Sequence, residues 1–566
     1  MNHIKFYIAL VLMACVSTAH ANTSVYDVPM SPELRQNVSI FDNPELIKIT
    51  DRVYLAYAFD LVNCVFIVGD DGILVIDTLA RVENARRALD QLRKITEKPV
   101  VAMIYSHGHF DHTGGSAAFV SQEAAGDIPV YASVAWPRYR QELASPLYPM
   151  IGRRMIEQIG FAVVPPGTEH YEHILGPVRP TARTQSYIEP NRTVSEPTRV
   201  VLAGVELDLI PIPSEMDDEL IVWIPNEGVA YGADTMAHVF PFLATPRSEP
   251  SRSPRGLIKA KDIMLDWQPQ HLLLGHGPPT SGKQKVRERL TAYRDAEQSL
   301  LDQTIAAINA GMTRDEAAEQ IRLPTHLARD PMMNDAYHRA SWVIKGLYTR
   351  LSGWYGNDAL EFIQHPPREE AKRMIRLAGG AEKMLERARE AMHADDYSWA
   401  AQLATYLLLG GQQTAAAKRI KIDAFKSVAA RTHSSNERYY LLSGALWLER
   451  GGTITPPLGV ADQTSMVPTS EFVEFLGPRL DLKRSAVEVL KVNFEIRDTG
   501  ENFRITVRRG VLERRAGLHN KPDLTLSMDR QSLLAFTAKL TPSQELLQDG
   551  KIQAKGDAER FLKLFN

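Results

Sequence analysis

Four residues able to bind a divalent metal stand within six positions at His107-Gly108-His109-Phe110-Asp111-His112. Imidazole and carboxylate suit zinc or a similar divalent ion. The chain holds only two cysteines, Cys15 and Cys64, so no disulfide framework and no Cys-based zinc site is expected. Any metal must be held by His and carboxylates. The cluster directly follows the apolar run Val100–Tyr105 and precedes Gly114-Gly115, so a strand held in a sheet delivers the four side chains to a loop where they converge.

The elements that position this loop belong to an α/β region from about Ile47 to Pro279. Short β-branched runs mark strands at Val62–Val68, Gly72–Asp77, Val200–Ile210, Leu220–Ile224, Val229–Tyr231 and Leu272–Leu274, and Asn84–Ile95 carries helical periodicity. Strands and helices mixed in this way imply an α/β layered domain. Near Lys283 the chain becomes rich in Ala, Leu, Glu and Arg with helical spacing up to about Arg450, which predicts an all-α region. Gly451–Gly459 reads as a linker, and the last hundred residues alternate strands and helices as a small α+β module.

The first 21 residues read as an export signal: Lys5, an apolar run from Phe6 to Val16, then Ala19-His20-Ala21 as the cleavage pattern. The run is shorter than the ~20 residues needed to cross a bilayer, so after signal removal no integral span is expected and the mature chain is periplasmic or secreted. Lipoprotein anchoring at Cys15 is the minor alternative. The charge balance, 65 Lys+Arg against 68 Asp+Glu for a net −3, leaves no footprint for nucleic acid. Apolar residues at 44% and charged residues at 23% are globular values. Cys64 reads as a small buried hydrophobe, and His238 as a loop histidine outside the ligand set.

The His-x-His-x-Asp-His cluster resembles the signature of the metallo-β-lactamase superfamily, an αββα sandwich. The resemblance implies two metals, one on His107 and His109 and one on Asp111 and His112. It also calls for a third ligand, a bridging carboxylate and a last histidine. Asp234 follows Val229–Tyr231 and His276 follows Leu272–Leu274, both at strand ends, the usual ligand rim of layered sheets. For the third ligand, His170 and His173 lie in a loop, whereas Glu215 follows the strand Leu207–Ile210. Asp77, at the end of another strand, is expected beside the metal loop as an acceptor orienting a ligand.

Glu215 and Asp234, nineteen residues apart, narrow the resemblance to the alkyl sulfatase branch, in which Glu replaces the third His and an acid bridges the metals. Ser352-Gly353-Trp354-Tyr355-Gly356-Asn357 and Asp396-Tyr397-Ser398-Trp399 resemble that branch's helical dimerisation domain, and the last hundred residues its C-terminal domain of sterol carrier protein type 2 fold. The implied organisation is a signal peptide over 1–21, a catalytic domain over 22–282, a dimerisation domain over 283–450, a linker over 451–461 and a C-terminal domain over 462–566. The implied activity is hydrolysis of a small amphiphilic sulfate ester by a homodimer with two divalent ions, zinc in expectation, and Asp234 and Asp111 in the catalytic set. The family's anion contacts fall on Arg247, which fits, and on Phe242, Trp342 and Trp354, which replace an Asn, a His and a Tyr. An aromatic ring cannot replace an amide as a paired hydrogen-bond partner, so another ester, an amide or a lactam stays open as substrate. A lipid-binding scaffold with a structural metal is the rival from another class.

Overall fold

The computed structural model describes residues 24–120, 125–136, 145–165, 167–182, 184–247, 252–453 and 467–565. The segment expected as an export signal, Cys15 and most of the stretch expected as a linker lie outside them. The chain forms two compact units, one holding the described residues of 24–135 and 154–453, the other those of 136–153 and 467–565. Among the described residues no helix is long and apolar enough to cross a membrane.

Two sheets build the first unit. One has seven strands in the order Glu45–Lys48, Val53–Tyr57, Cys64–Val68, Ile73–Ile76, Val100–Ile104, Val130–Ser133 and Arg192–Val194, antiparallel at first and parallel from Ile73–Ile76 onward. The other has six, Thr198–Leu202, Val205–Pro211, Leu220–Ile224, Val229–Tyr231, His271–Leu273 and Thr280–Ser281, with one parallel pair between Val229–Tyr231 and His271–Leu273. Their inner faces interdigitate: Leu55, Val65, Leu74, Ile76 and Ile104 of the first share a core with Leu207, Leu209, Leu220, Val222 and Leu273 of the second. Helix Val82–Leu92 buries Ala85, Ala88 and Leu92. Helices Pro254–Trp267 and Lys283–Asn309 cover the second sheet through Ala260, Met264, Val286, Leu290 and Tyr293 against Ile221, Ala230 and Leu272. The result is an αββα sandwich.

Helices Arg314–Gln320, Ala340–Ser352, Pro367–Leu377, Ala381–His393, Tyr397–Leu409, Thr414–Ala429 and Ser435–Arg450 follow. The middle ones bury a cluster of their own around Ile375, Leu385, Leu403 and Leu407, and the others join cores of the sandwich. Phe240, Leu243 and Leu257 of the sandwich pack with Leu300, Val343, Ile344 and Leu347, and Leu61 and Ile159 share a cluster with Ile422, Tyr439 and Leu446. The second unit is built on a five-stranded sheet in the order Val511–Ala516, Asn502–Arg508, Val489–Ile496, Leu524–Met528 and Ile552–Gly556.

Two local readings change. The run expected as one strand, Val200–Ile210, is a hairpin, Thr198–Leu202 with Val205–Pro211, turned at Ala203 and Gly204, whose φ values of 47° and 75° are those of a tight two-residue turn. Ala in the first turn position hides the signal. The segment expected as a loop around His170 and His173 contains the strand pair Tyr171–His173 with Gly176–Val178. Helix Pro254–Trp267, absent from the periodicity reading, is marked by its cap, Ser253 with Pro254 at the first position, and Ser435–Arg450, within the region read as helical, is capped by Ser434 accepting from the Glu437 N–H.

Candidate metal centre and adjoining cavity

The strand Val100–Ile104 ends in Tyr105 and Ser106, and the Ser106 N–H donates to Asp77 Oδ1 at 2.8 Å, tying the loop to the neighbouring strand end. His109 then caps a single helical turn, Phe110–Thr113, which turns Asp111 and His112 inward. Gly114 and Gly115 make this possible. A Cβ on either would stand 2.3 Å from the Ala80 carbonyl oxygen or 2.1 Å from that of Thr78.

The seven residues expected as ligands fall into two buried groups. His107, His109, Glu215 and Asp234 each offer an atom within 4.8 Å of the others, and Asp111, His112 and His276 do the same. Asp234 also faces the second group, its Oδ2 standing 3.1 Å from His276 Nε2 and 3.5 Å from His112 Nε2. Asp111 Oδ2 is 3.6 Å from His276 Nε2 and 3.8 Å from His112 Nε2. Glu215 Oε2 lies 3.8 Å from His107 Nε2 and 3.9 Å from His109 Nδ1, and those two ring nitrogens are 2.7 Å apart.

This arrangement fits cations. His112 Nε2, Glu215 Oε2 and Asp234 Oδ1 are buried with no hydrogen-bond partner, a costly state for protein alone. A Cβ on Gly275 would come within 2.1 Å of Asp234 Oδ1, so only glycine leaves that oxygen room. Imidazoles and carboxylates in two groups that share Asp234 suit a pair of zinc-like ions. The remaining nitrogens are already held: His112 Nδ1 is 2.6 Å from Asp77 Oδ2, His276 Nδ1 donates to the Leu61 carbonyl at 2.8 Å, and His107 Nδ1 faces Ser106 Oγ at 3.0 Å. These contacts leave Nε2 of all three rings turned toward the centre. Asp77 also accepts from the Tyr231 hydroxyl, and it sits at φ 55°, as Ala233 sits at φ 46°. Such left-handed conformations cost about 1–2 kcal/mol each and persist where the surroundings impose them.

The metal-free electrostatics are divided. Burial pushes the His109 imidazole down to about 4, and burial with the neighbouring rings holds His107 well below its ordinary range. Against burial, which opposes it, Asp234 with Asp111 raises His276 to about 9, and Asp234, Asp77 and Asp111 raise His112. Burial likewise opposes the shift at Asp234, but His276 and His112 hold its carboxyl well below the usual range.

The metallo-beta-lactamase superfamily model matches residues 57–299, the alkyl sulfatase dimerisation model residues 313–451 and the alkyl sulfatase C-terminal model residues 458–566, which together span most of the chain. The chain belongs to the alkyl sulfatase branch of the metallo-β-lactamase superfamily. It is 29% identical over 481 residues to the linear primary-alkylsulfatase of Pseudomonas sp. (strain ATCC 19151), covering 82% of this chain and 91% of that one. With the (R)-specific secondary-alkylsulfatase of Pseudomonas sp. it shares 27% over 547 residues, 95% of this chain and 82% of the other. The solved structure of the stereoselective inverting sec-alkylsulfatase Pisa1 from Pseudomonas sp. superposes with a TM-score of 0.82 at 26% identity, covering 96% of this chain and 88% of that one.

On the substrate side, this member of the alkyl sulfatase branch departs from the sequence expectation. A cavity opens onto the ligand cluster, walled by His109, Asp111, Glu215, Asp234 and His276 and by Leu61, Gln158, His173, Phe242, Arg247 and Tyr337. Arg247 and Phe242 therefore line it. Trp342 and Trp354 do not. The helix Ala340–Ser352 turns Val343, Ile344 and Leu347 inward, which leaves Trp342 edge-on to Tyr440. Gly353, at φ 82°, then directs the chain outward, so Trp354 is 67% exposed and packs on Tyr355 and Phe362. His173 lines the wall but donates no free nitrogen to the cluster, since Nε2 bonds Asn436 Oδ1 at 3.1 Å and Nδ1 accepts from the Leu175 N–H at 3.3 Å. His238 stands outside both groups, edge-on to Phe41. Cys64 is buried in its strand.

Several residues were not anticipated. Arg252 bonds Glu215 Oε1 and the Phe242 carbonyl and lies over the Phe242 ring, joining a ligand to the cavity wall. Glu219, fully buried, accepts from the Asp234 N–H at 3.0 Å and stands 3.7 Å from His107 Nδ1. Burial and then the charges of Glu215 and Asp234 raise its carboxyl well above the usual range. Lys261 donates to the Thr235 carbonyl and, at 2.7 Å, to Glu297 Oε1. Glu219 and Lys261 thus grip the Asp234–Thr235 turn at its N–H and its carbonyl. The one sequence signal for them is a charged residue at an otherwise apolar position, Glu219 before Leu220–Ile224 and Lys261 on the buried face of its helix.

Proposed function

We propose that this chain is an exported, homodimeric hydrolase with two divalent ions, zinc by the chemistry of its donors, that cleaves the sulfate ester of an amphiphilic alcohol. The observation that carries the reading is the shared position of Asp234 between two buried ligand groups, in the wall of the same cavity as Arg247. The relatives named above are alkylsulfatases, which supports the ester type.

Bound in the two groups, the ions would lower the pKa of a shared water from 15.7 toward ~7 and polarise the ester oxygen. The chain's own residues do the rest. Asp77, Leu61 and Ser106 fix the ligand rings, so little reorganisation accompanies the reaction. Arg247, whose Nη2 is 3.3 Å from His109 Nε2, sets a guanidinium beside the first group, where it can pair with the oxygens of an anionic head. Leu61, Ile159, Ala237 and Phe242 give the cavity apolar walls for the carbon body of the alcohol. Export is supported by the pattern of residues 1–21, and self-association by the dimerisation model over 313–451.

A second reading, hydrolysis of another ester, an amide or a lactam, is favoured by Phe242 standing where the branch carries an amide. The scaffold reading is disfavoured, because structural zinc sites have closed four-ligand shells and this site offers seven groups. A panel of medium-chain alkyl sulfates, alkyl phosphates, carboxylate esters and β-lactams tests the choice. The proposal predicts turnover of the sulfates, lowered about a hundredfold or more by Arg247→Ala through loss of a charged hydrogen-bond partner. Turnover of carboxylate esters or lactams alone would replace it with the second reading.

A further inference from the structure

Tyr337 is buried, 6% exposed, at the wall of the metal-site cavity. Its backbone is fixed from one side, since the Ser434 hydroxyl donates to its carbonyl at 2.9 Å and the Ser435 N–H donates to the preceding carbonyl, that of Ala336, at 2.8 Å. Its ring is fixed too, edge-on to Phe242 at 6.4 Å and to His173 at 5.8 Å. The hydroxyl accepts from Gln158 Nε2 at 2.7 Å, and Gln158 Oε1 in turn accepts from Thr245 Oγ1 at 3.2 Å and from the Tyr440 hydroxyl at 3.3 Å. The amide is therefore held at both ends.

A phenol carries one donor and one accepting oxygen. With Gln158 on the oxygen, the proton of Tyr337 is left for the cavity, where Arg247 also lies. Phe242 offers no donor, but the ring packed against it does. Resting on the sulfate ester reading above, we infer that the Tyr337 hydroxyl, aimed by Gln158, donates a hydrogen bond to the anionic head of the substrate beside Arg247. Burial raises this phenol to about 12, so it keeps its proton across the working pH range. Tyr337 is then a binding group for the sulfate and Gln158 a positioning residue that acts through it.

The test uses the full-length, zinc-loaded protein, with inorganic sulfate as the probe in calorimetry and a medium-chain alkyl sulfate in kinetics. Y337F removes the hydroxyl and keeps the ring. It is expected to weaken sulfate binding and raise KM tenfold or more, with metal content and Tm unchanged. Q158L is expected to give a smaller loss in the same two readouts. Sulfate binding and KM in Y337F within twofold of wild type would overturn the inference while leaving the ester reading intact. A wild-type chain that neither binds sulfate nor cleaves the ester would overturn that reading and this inference with it. A fall in Y337F metal content that accounts for the whole loss would also overturn it, since the ring would then serve the metal centre.

Discussion

Glu215, rather than a third histidine, stands opposite His107 and His109, and Arg252 holds its other oxygen. Glu215→Gln should drop bound zinc from two ions per chain toward one, measured by elemental analysis after dialysis, because an amide is a poor zinc ligand. His173→Ala should keep both ions, since both its nitrogens are engaged away from the cluster. The opposite pattern would return the site to three histidines. At this scale the convergence of the seven candidate ligands was legible, because each follows a strand end or sits in one short motif. Arg252 and Tyr337 were not, because tertiary packing alone brings them to the cluster and nothing in their flanking residues announces it, and Glu219 left only its charge ahead of an apolar strand as a signal. Trp342 and Trp354 stand off the cavity wall because Val343, Ile344 and Leu347 take the inward face of their helix and Gly353 ends it, which matching positions to the family does not foresee.

Among the elements, helices Pro254–Trp267 and Lys283–Asn309 do more than cover a sheet. Between them they bury the Lys261–Glu297 pair, which fixes the carbonyl next to Asp234. Burial pushes the Glu297 carboxyl up to about 7, with Lys261 opposing. Lys261→Met leaves Glu297 buried and unpaired, which should cost about 3–5 kcal/mol of stability in denaturant unfolding. Lys261→Met with Glu297→Leu should recover most of that stability. Zinc affinity, read by chelator competition, should stay about 10–100-fold weaker in the double variant, because the grip on the Thr235 carbonyl is still missing. Wild-type affinity in the double variant would limit the pair to a stability role. The second sheet was largely legible from β-branched runs, whereas in the first the strands Glu45–Lys48, Val53–Tyr57, Val130–Ser133 and Arg192–Val194 went unread. The hairpin at Ala203 and the helix beginning at Pro254 were not legible either, because a left-handed Ala and a cap leave little trace in hydrophobic periodicity.

At the scale of the whole molecule, the region matched by the dimerisation model carries an aromatic patch: Phe362 is 63% and Ile363 77% exposed, with Phe362 4.8 Å from Tyr355 and 5.7 Å from Trp354 between ring centres. Exposed apolar groups clustered this way mark interaction surfaces. If this patch meets a second copy, wild-type protein should run as a dimer in light scattering and Phe362→Asp should shift it to monomer at micromolar concentration. A dimer unchanged by Phe362→Asp would place the interface elsewhere. The central claim is that two ions held around Asp234 make this chain a sulfate ester hydrolase, and the most direct measurement is a zinc titration of chelator-stripped, full-length protein followed by alkyl sulfate turnover. Turnover should be absent without zinc and should rise to a plateau at two equivalents per chain. Full turnover in the stripped protein, or a plateau at one equivalent, would contradict the account.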